Sequence, residues 1–224
     1  MATSRREQAK SARRRRILEA AHDLLREVDM EGVTVKAIAQ RSGLSAATIY
    51  NLFGSKAAVL SGVFDLDLAT YEAMVAGAAA EDSLDLIFHA IAIAADLYRG
   101  DPSFYRLTMV APALARGGGA RAESGFVTTV REPRLRFWRR LVQASIDEGS
   151  LRAEADAAVL GVLLIQIAAG ALMDWATDAI TVDQLEIEMS FGFATVLASF
   201  AAKPAQAKLR RRMAISSRAA ARAA

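Results

Sequence analysis

The sequence predicts an all-α chain of about nine helices, with a three-helix N-terminal domain joined to a larger helical body. Apolar residues recur at three- and four-residue intervals, and no strand-like alternation persists anywhere. Glycine, serine and proline punctuate these runs at helical lengths. Charge is also divided. Residues 1–60 hold 11 lysines and arginines against 6 carboxylates, residues 61–202 hold 10 against 19, and residues 203–224 hold 7 against none. The 224 residues, 53% of them hydrophobic, are enough to bury a real core.

Composition excludes several classes. With no cysteine there is no disulfide framework, thiolate metal site or thiol nucleophile, which fits a reducing, cytoplasmic location. The opening "MATSRREQAKSARRRR" is basic, but no apolar run of the signal-peptide kind follows it. Between Asp156 and Asp174 lie 17 uncharged residues, short of the ~20 needed to cross a bilayer, with Gln166 near their centre. A buried helix is expected there, and no membrane partner.

In chain order, Ile17, Leu18, Ala21, Leu24, Leu25 and Val28 mark the apolar face of a first helix, and Gly32 suits its stop. Thr34 can cap a second, with Val33 and Ile38 placed as a hydrophobic staple, and Ser42-Gly43 turns the chain after Arg41. The third is the stubby "SAATIYNLF", capped by Ser45, with Leu44 and Ile49 as a second staple and Gly54 as its break. Ser55 caps a longer helix running to about Ala80. Further helices are expected near 83–99, 101–115, 126–148, 155–178 and 183–202, with a flexible "RGGGAR" loop at 116–121 and a kink or restart at Pro133. The basic, alanine-rich 203–224 has little to bury and is expected to be disordered. These readings give domains at 1–55 and 56–202, followed by a tail at 203–224.

Helix, glycine-containing tight turn, short second helix is the helix-turn-helix pattern, whose second helix enters the DNA major groove. If Ile49, Leu52 and Phe53 face the core, Ala46, Ala47, Tyr50 and Asn51 face outward. Small residues at the tip let the backbone approach base edges and phosphates, and the free N–H groups there favour anions. Ser45 is first a cap and second a DNA contact, and Thr48 belongs to the same first turn. Lys56 opens the next helix, where a lysine is poorly placed for the macrodipole unless a phosphate lies nearby.

The run "RRRRILEAAHDLLREVDMEGVTVKAIAQRSGLSAATIYNLFGSKAAVL" resembles the N-terminal domain of TetR/AcrR transcriptional regulators, through "ILEAA", "VTVKAIAQRSGLS", "TIYNLF" and "SKAAVL". The resemblance covers about residues 13–60; beyond it, only "DEGSLRAEAD" and "GALMDW" look similar. It implies that Thr34 and Tyr50 contact phosphates, that Ala46, Ala47 and Asn51 approach base edges, and that Lys56 is the phosphate-binding lysine. Arg13, Arg14 and Arg16 fall in the run Arg13 to Arg16, at the start of helix 1, where family members contact backbone or minor groove. Ala46 and Ala47 offer bases no hydrogen bonds, so readout leans on thymine methyls, Asn51 and DNA shape.

A helix-turn-helix reads palindromic half-sites best when paired by a two-fold axis. The apolar 157–173 stretch, with Gly161, Ala168, Ala169 and Gly170 allowing close approach, is the candidate dimer surface, with 183–202 as its companion. The resemblance implies that helices near 157–178 and 183–202 form a four-helix bundle across a homodimer. It also implies an effector pocket in the body. Phe88, His89, Phe104, Tyr105, Met109, Phe126, Trp138 and Trp175 are its candidates, a mixture suited to an apolar or amphipathic small molecule. No cofactor or metal is expected. An enzyme is not expected either: only His22 and His89 are present, no G-x-S-x-G, H-E-x-x-H or P-loop occurs, and "GGGARA" lacks a preceding strand. The reading is a homodimeric DNA-binding regulator, a repressor released by a small molecule. The alternative is a helical ligand-binding or scaffold dimer without DNA binding.

Overall fold

The computed structural model describes residues 5–28, 32–114 and 120–223, except for the side chains of 109–114, 120–130 and 222–223. The Gly-Gly-Gly centre of the 116–121 loop and the side chains of Met109 and Phe126 lie outside the described residues. Among the described residues ten helices follow in order: α1 (Arg5–Glu27), α2 (Val35–Ser42), α3 (Ala46–Phe53), α4 (Lys56–Ala76), α5 (Ser83–Gly100), α6 (Pro102–Leu114), α7 (Ala120–Asp147), α8 (Ala157–Ala176), α9 (Val182–Ala198) and α10 (Lys203–Ala223). Among the described residues, β-pairing amounts to an isolated bridge between Leu151 and Ala201. It joins the α7–α8 link to the α9–α10 link, with Arg152 N–H donating to Phe200 at 2.8 Å and Ala202 N–H to Ser150 at 3.0 Å.

The chain forms two compact units, Met1–Ala69 and Thr70–Ala224. The division falls inside α4, later than the expected 55/56 boundary. Val59, Val63 and Phe64 are buried, and Gly62 lies so near Leu18 and Phe53 that a Cβ there would stand 2.8 Å from Leu18 Cδ2. The first turns of α4 therefore complete the N-terminal core. In the second unit α8 packs against α7 and α9, α5 packs against both of those, and α6 rests on α8. Ile87, Ile91, Leu160, Leu164 and Phe193 lie at most 1% exposed among them.

Two expectations are corrected and a third is narrowed. The helix α1 begins at Arg5, so Arg13 to Arg16 stand mid-helix; arginine, alanine, glutamine and glutamate propagate well from a packed C-terminal half. The helix α7 runs through Pro133 without a restart. Residues 203–223 are helical: Ala205, Leu209 and Ser216 are buried in a packing chiefly against α9. Polar contacts supply what that apolar stripe lacks. Arg212 donates to Asp85 at 2.5 Å and lies 4.3 Å over the Phe88 ring, while Lys208 donates to Asp82 at 3.2 Å.

The helix α8 is long and apolar enough, by length and composition, to cross a membrane. Instead it has two faces. Leu160, Gly161, Leu164, Ile165, Ala168, Ala171 and Trp175 are buried, while Val159 (55%) and Leu163 (43%) are exposed. Gly161 and Ala168 thus serve packing within the chain; a Cβ on Gly161 would meet Arg139 Cγ at 2.5 Å. The open small residues are Ala169 and Gly170.

Candidate nucleic-acid interface

The N-terminal unit presents α3 as its sequence suggests. The Thr34 hydroxyl accepts from Ala37 N–H at 3.1 Å to start α2, and Gly43 ends that helix in the left-handed region at φ 63°. Its N–H and that of Leu44 reach back to Gln40 and Ala39, closing the last turn and reversing the chain. The Ser45 hydroxyl then accepts from Thr48 N–H at 3.1 Å and shares a hydrogen bond with the Thr48 hydroxyl at 2.9 Å. Val33, Ile38 and Ile49 are fully buried, so the staple positions anchor both helices inward.

Ile49 at 0% and Tyr50 at 54% exposure set the orientation of α3. Ala46, Ala47 and Asn51 are exposed beside Tyr50, and Leu52 and Phe53 are half-buried on the inner side. The outward surface is small at its tip, then aromatic, then amide. Ser55 caps α4 through Ala58 N–H at 3.1 Å. Lys56 is half-buried in the first turn of α4 and already engaged within the chain.

The arginines of α1 divide their work. Arg14 donates to the Leu52 carbonyl at 2.5 Å with its guanidinium 4.1 Å over the Phe53 ring, which ties α1 to the end of α3. Arg16 donates to the Ser42 carbonyl at 2.6 Å and so satisfies the end of α2. Arg13 stays exposed and donates to the Ala9 carbonyl of its own helix, and Arg15 pairs with Glu19 at 3.4 Å. Arg41 forms a two-pronged pair with Glu27, whose hydrogen bonds hold the Glu27 carboxyl below the usual range.

Residues 17–63 match the model of the bacterial regulatory proteins of the tetR family. The HTH-type transcriptional regulator YdeS of Bacillus subtilis is 31% identical over 140 residues, spanning 62% of this chain and 68% of that protein. The chain belongs to the tetR family. It is a DNA-binding transcriptional regulator. Solved structures share the fold across the body as well. A TetR transcription regulator from Haloarcula marismortui is 17% identical with a TM-score of 0.67, over 86% of this chain and all of that one. Thermus thermophilus FadR, a TetR-family repressor in complex with lauroyl-CoA, is 18% identical with a TM-score of 0.65, over 85% of this chain and 96% of that one.

In the body of this TetR-family regulator, the aromatic candidates separate into packed clusters. Phe104, Tyr105 and Trp175 are buried around Tyr98, which stacks on Trp175 at 5.1 Å and meets Tyr105 edge-on at 4.8 Å. Trp138 is buried between Phe137 and Phe193. Phe88 lies under Arg212, and the His89 ring nitrogen Nδ1 stands 3.1 Å from the Asp85 carbonyl. Most of these rings are core.

One groove of about 470 Å³ opens between the α5–α6 corner and the α8–α9 turn, and Trp175 is the sequence candidate among the described residues that lines it. Arg106 and Asp178, paired across its rim, escaped sequence reasoning because residues 72 positions apart leave no spacing signal. Among the described residues no group of three or more histidines or carboxylates could hold a metal ion.

Proposed function

We propose that this regulator is a homodimeric repressor that binds a palindromic operator through α3 and is released by a small molecule held in the body. One observation carries the reading: the Ala46, Ala47, Tyr50 and Asn51 surface is exposed while Ile49 is sealed beneath it. A compact head with such a bare tip has no use for it in its own packing.

Tyr50, Thr34, Lys56 and Arg13 are assigned phosphate contacts that position the helix, while Ala46, Ala47 and Asn51 approach base edges. Ser45 and Thr48 hold the helix start and touch DNA only as a second role. Arg14 and Arg16 act indirectly, by fixing the ends of α3 and α2. Pairing uses the exposed stripe of α8 together with Phe191 on α9, which is 42% exposed. An apolar stripe of this kind on two neighbouring helices is what a second copy covers in a two-fold assembly.

Gel shifts with the regulator's own promoter fragment at two salt concentrations test the reading. Binding should prefer that fragment over scrambled DNA and weaken steeply with salt. Tyr50→Ala and Lys56→Ala should each weaken binding to every sequence alike. An altered base preference instead would reverse the sorting of contacts, and a shallow salt slope without site preference would favour a ligand-binding dimer that does not act on DNA.

A further inference from the structure

The helix α10 sorts its cations into two sets. Ala205, Leu209 and Ser216 are buried, and the cations flanking them pair inward, Lys208 with Asp82 at 3.2 Å and Arg212 with Asp85 at 2.5 Å. Those contacts account for the attachment to α5. Lys203, Arg210, Arg211 and Arg218 serve no such purpose. All four are exposed, and none has an ion pair or a side-chain hydrogen bond among the described residues.

At 3.6 residues per turn the four fall within an arc of about 100°, opposite the buried set, and span about 22 Å of helix. The exposed Ala207 and Ala214 lie between them, so no bulky side chain interrupts the ridge. A solvated helix face ordinarily mixes charges of both signs, whose pairs one turn apart support it. Here residues 203–224 contain no carboxylate, in a chain whose residues 61–202 hold 19. Lys203 even stands in the first turn, where the macrodipole disfavours a cation unless an anion lies near. An uncompensated basic ridge of this kind attracts a polyanion.

Three of the four are arginines, whose planar forks match phosphate oxygens. DNA is the partner this regulator already has, and its backbone is a continuous line of phosphates. A membrane fits less well. A helix lying on lipid inserts an apolar face, but that of α10 is packed against α9, and Ile215, 56% exposed, stands at the edge of the ridge.

We infer that the outer face of α10 is a second DNA contact, which holds the phosphate backbone of a duplex whatever its sequence. It goes beyond the contacts assigned to α3 and needs none of them.

The full chain is compared with the triple variant Arg210→Gln, Arg211→Gln, Arg218→Gln, in which glutamine keeps the helix propensity and the buried side is untouched. Binding to the promoter fragment and to a random-sequence duplex is followed by fluorescence anisotropy over a salt series. Both affinities should fall about tenfold or more at low salt, their ratio holding, and log K should depend on log salt with a slope shallower by about 2 or more. The same three changes in a Tyr50→Ala background should flatten the slope equally, which separates this contact from those of α3. The chain has no cysteine, so Ala214→Cys carrying a photoactivated cross-linker probes the ridge directly, even if the triple variant folds poorly. It should cross-link to random-sequence duplex and lose that yield as salt rises. An unchanged slope, or no cross-link where the duplex is bound, would overturn the assignment. So would a triple variant that keeps its DNA affinity but loses binding to phosphatidylglycerol vesicles or becomes monomeric, since the ridge would then belong to a membrane or to a second copy.

Discussion

Neighbouring side chains on α3 carry separable jobs. Ile49 is fully buried and Tyr50 is more than half exposed, so truncating each should give opposite signatures. Ile49→Ala leaves a cavity and should cost about 3 kcal/mol of N-terminal stability, seen as an early thermal transition by circular dichroism. Tyr50→Ala should move stability by no more than about 0.5 kcal/mol while DNA binding collapses. Gly43→Ala makes a third case. At φ 63° any Cβ is strained, and here it would also stand 3.1 Å from Arg16 Nη2, the group that satisfies Ser42. A loss of about 1 kcal/mol is expected, with reduced DNA affinity because the turn setting α3 against α2 is disturbed. The caps, staples and glycine turn were legible because each is a local rule read over four or five residues. The tasks of Arg14 and Arg16 were not, since their acceptors are backbone carbonyls 38 and 26 positions away and four consecutive arginines look alike.

Among elements, α10 shows most plainly what periodicity cannot see. Its buried set is Ala205, Leu209 and Ser216, too meagre for an apolar-stripe argument, and its attachment to α5 is ionic. Asp85 sits at the centre. Burial pushes its carboxyl up, but the Arg212 hydrogen bond and the Lys208 charge outweigh this and leave it below the usual range. A lowered carboxylate pKa means the attachment contributes fully above the ordinary aspartate range and is lost as pH falls through the lowered value. Thermal melts between pH 7 and pH 3 should therefore show Asp85→Asn starting about 2 kcal/mol lower and falling less steeply than the unaltered chain. At neutral pH, trypsin should cut the variant faster after Lys208 and Arg212, as the freed helix frays. Pro133 carries the complementary lesson: its lost backbone donor argued for a kink or a restart, and a 28-residue helix packed on α5 and α8 excludes the restart.

For the whole molecule, the decisive quantity is the apolar area that a single chain leaves open. Val159 and Leu163 lie one turn apart on α8, Phe191 is exposed on α9, and Gly192 lets the two helices approach closely, a Cβ there standing 2.8 Å from Ile167 Cγ2. The sequence offered this helix as the pairing surface through its small residues; the fold turns Gly161 and Ala168 inward and leaves the larger Val159 and Leu163 outside. Burying such side chains contributes about 1.5–3 kcal/mol each, and a two-fold axis counts every one twice. Under the proposed pairing, Leu163→Glu places a charge in the shared apolar stripe of both copies, at a side chain 43% exposed in the single chain. Sedimentation should then show monomers at concentrations where the unaltered chain is dimeric, with an unchanged helical spectrum. Affinity for a two-half-site operator should fall by about a hundredfold or more, because the second head loses its tethered effective concentration. Binding to an isolated half-site should hardly change, since α3 and its supports are untouched. A dimer that survived Leu163→Glu would place the partner on another face.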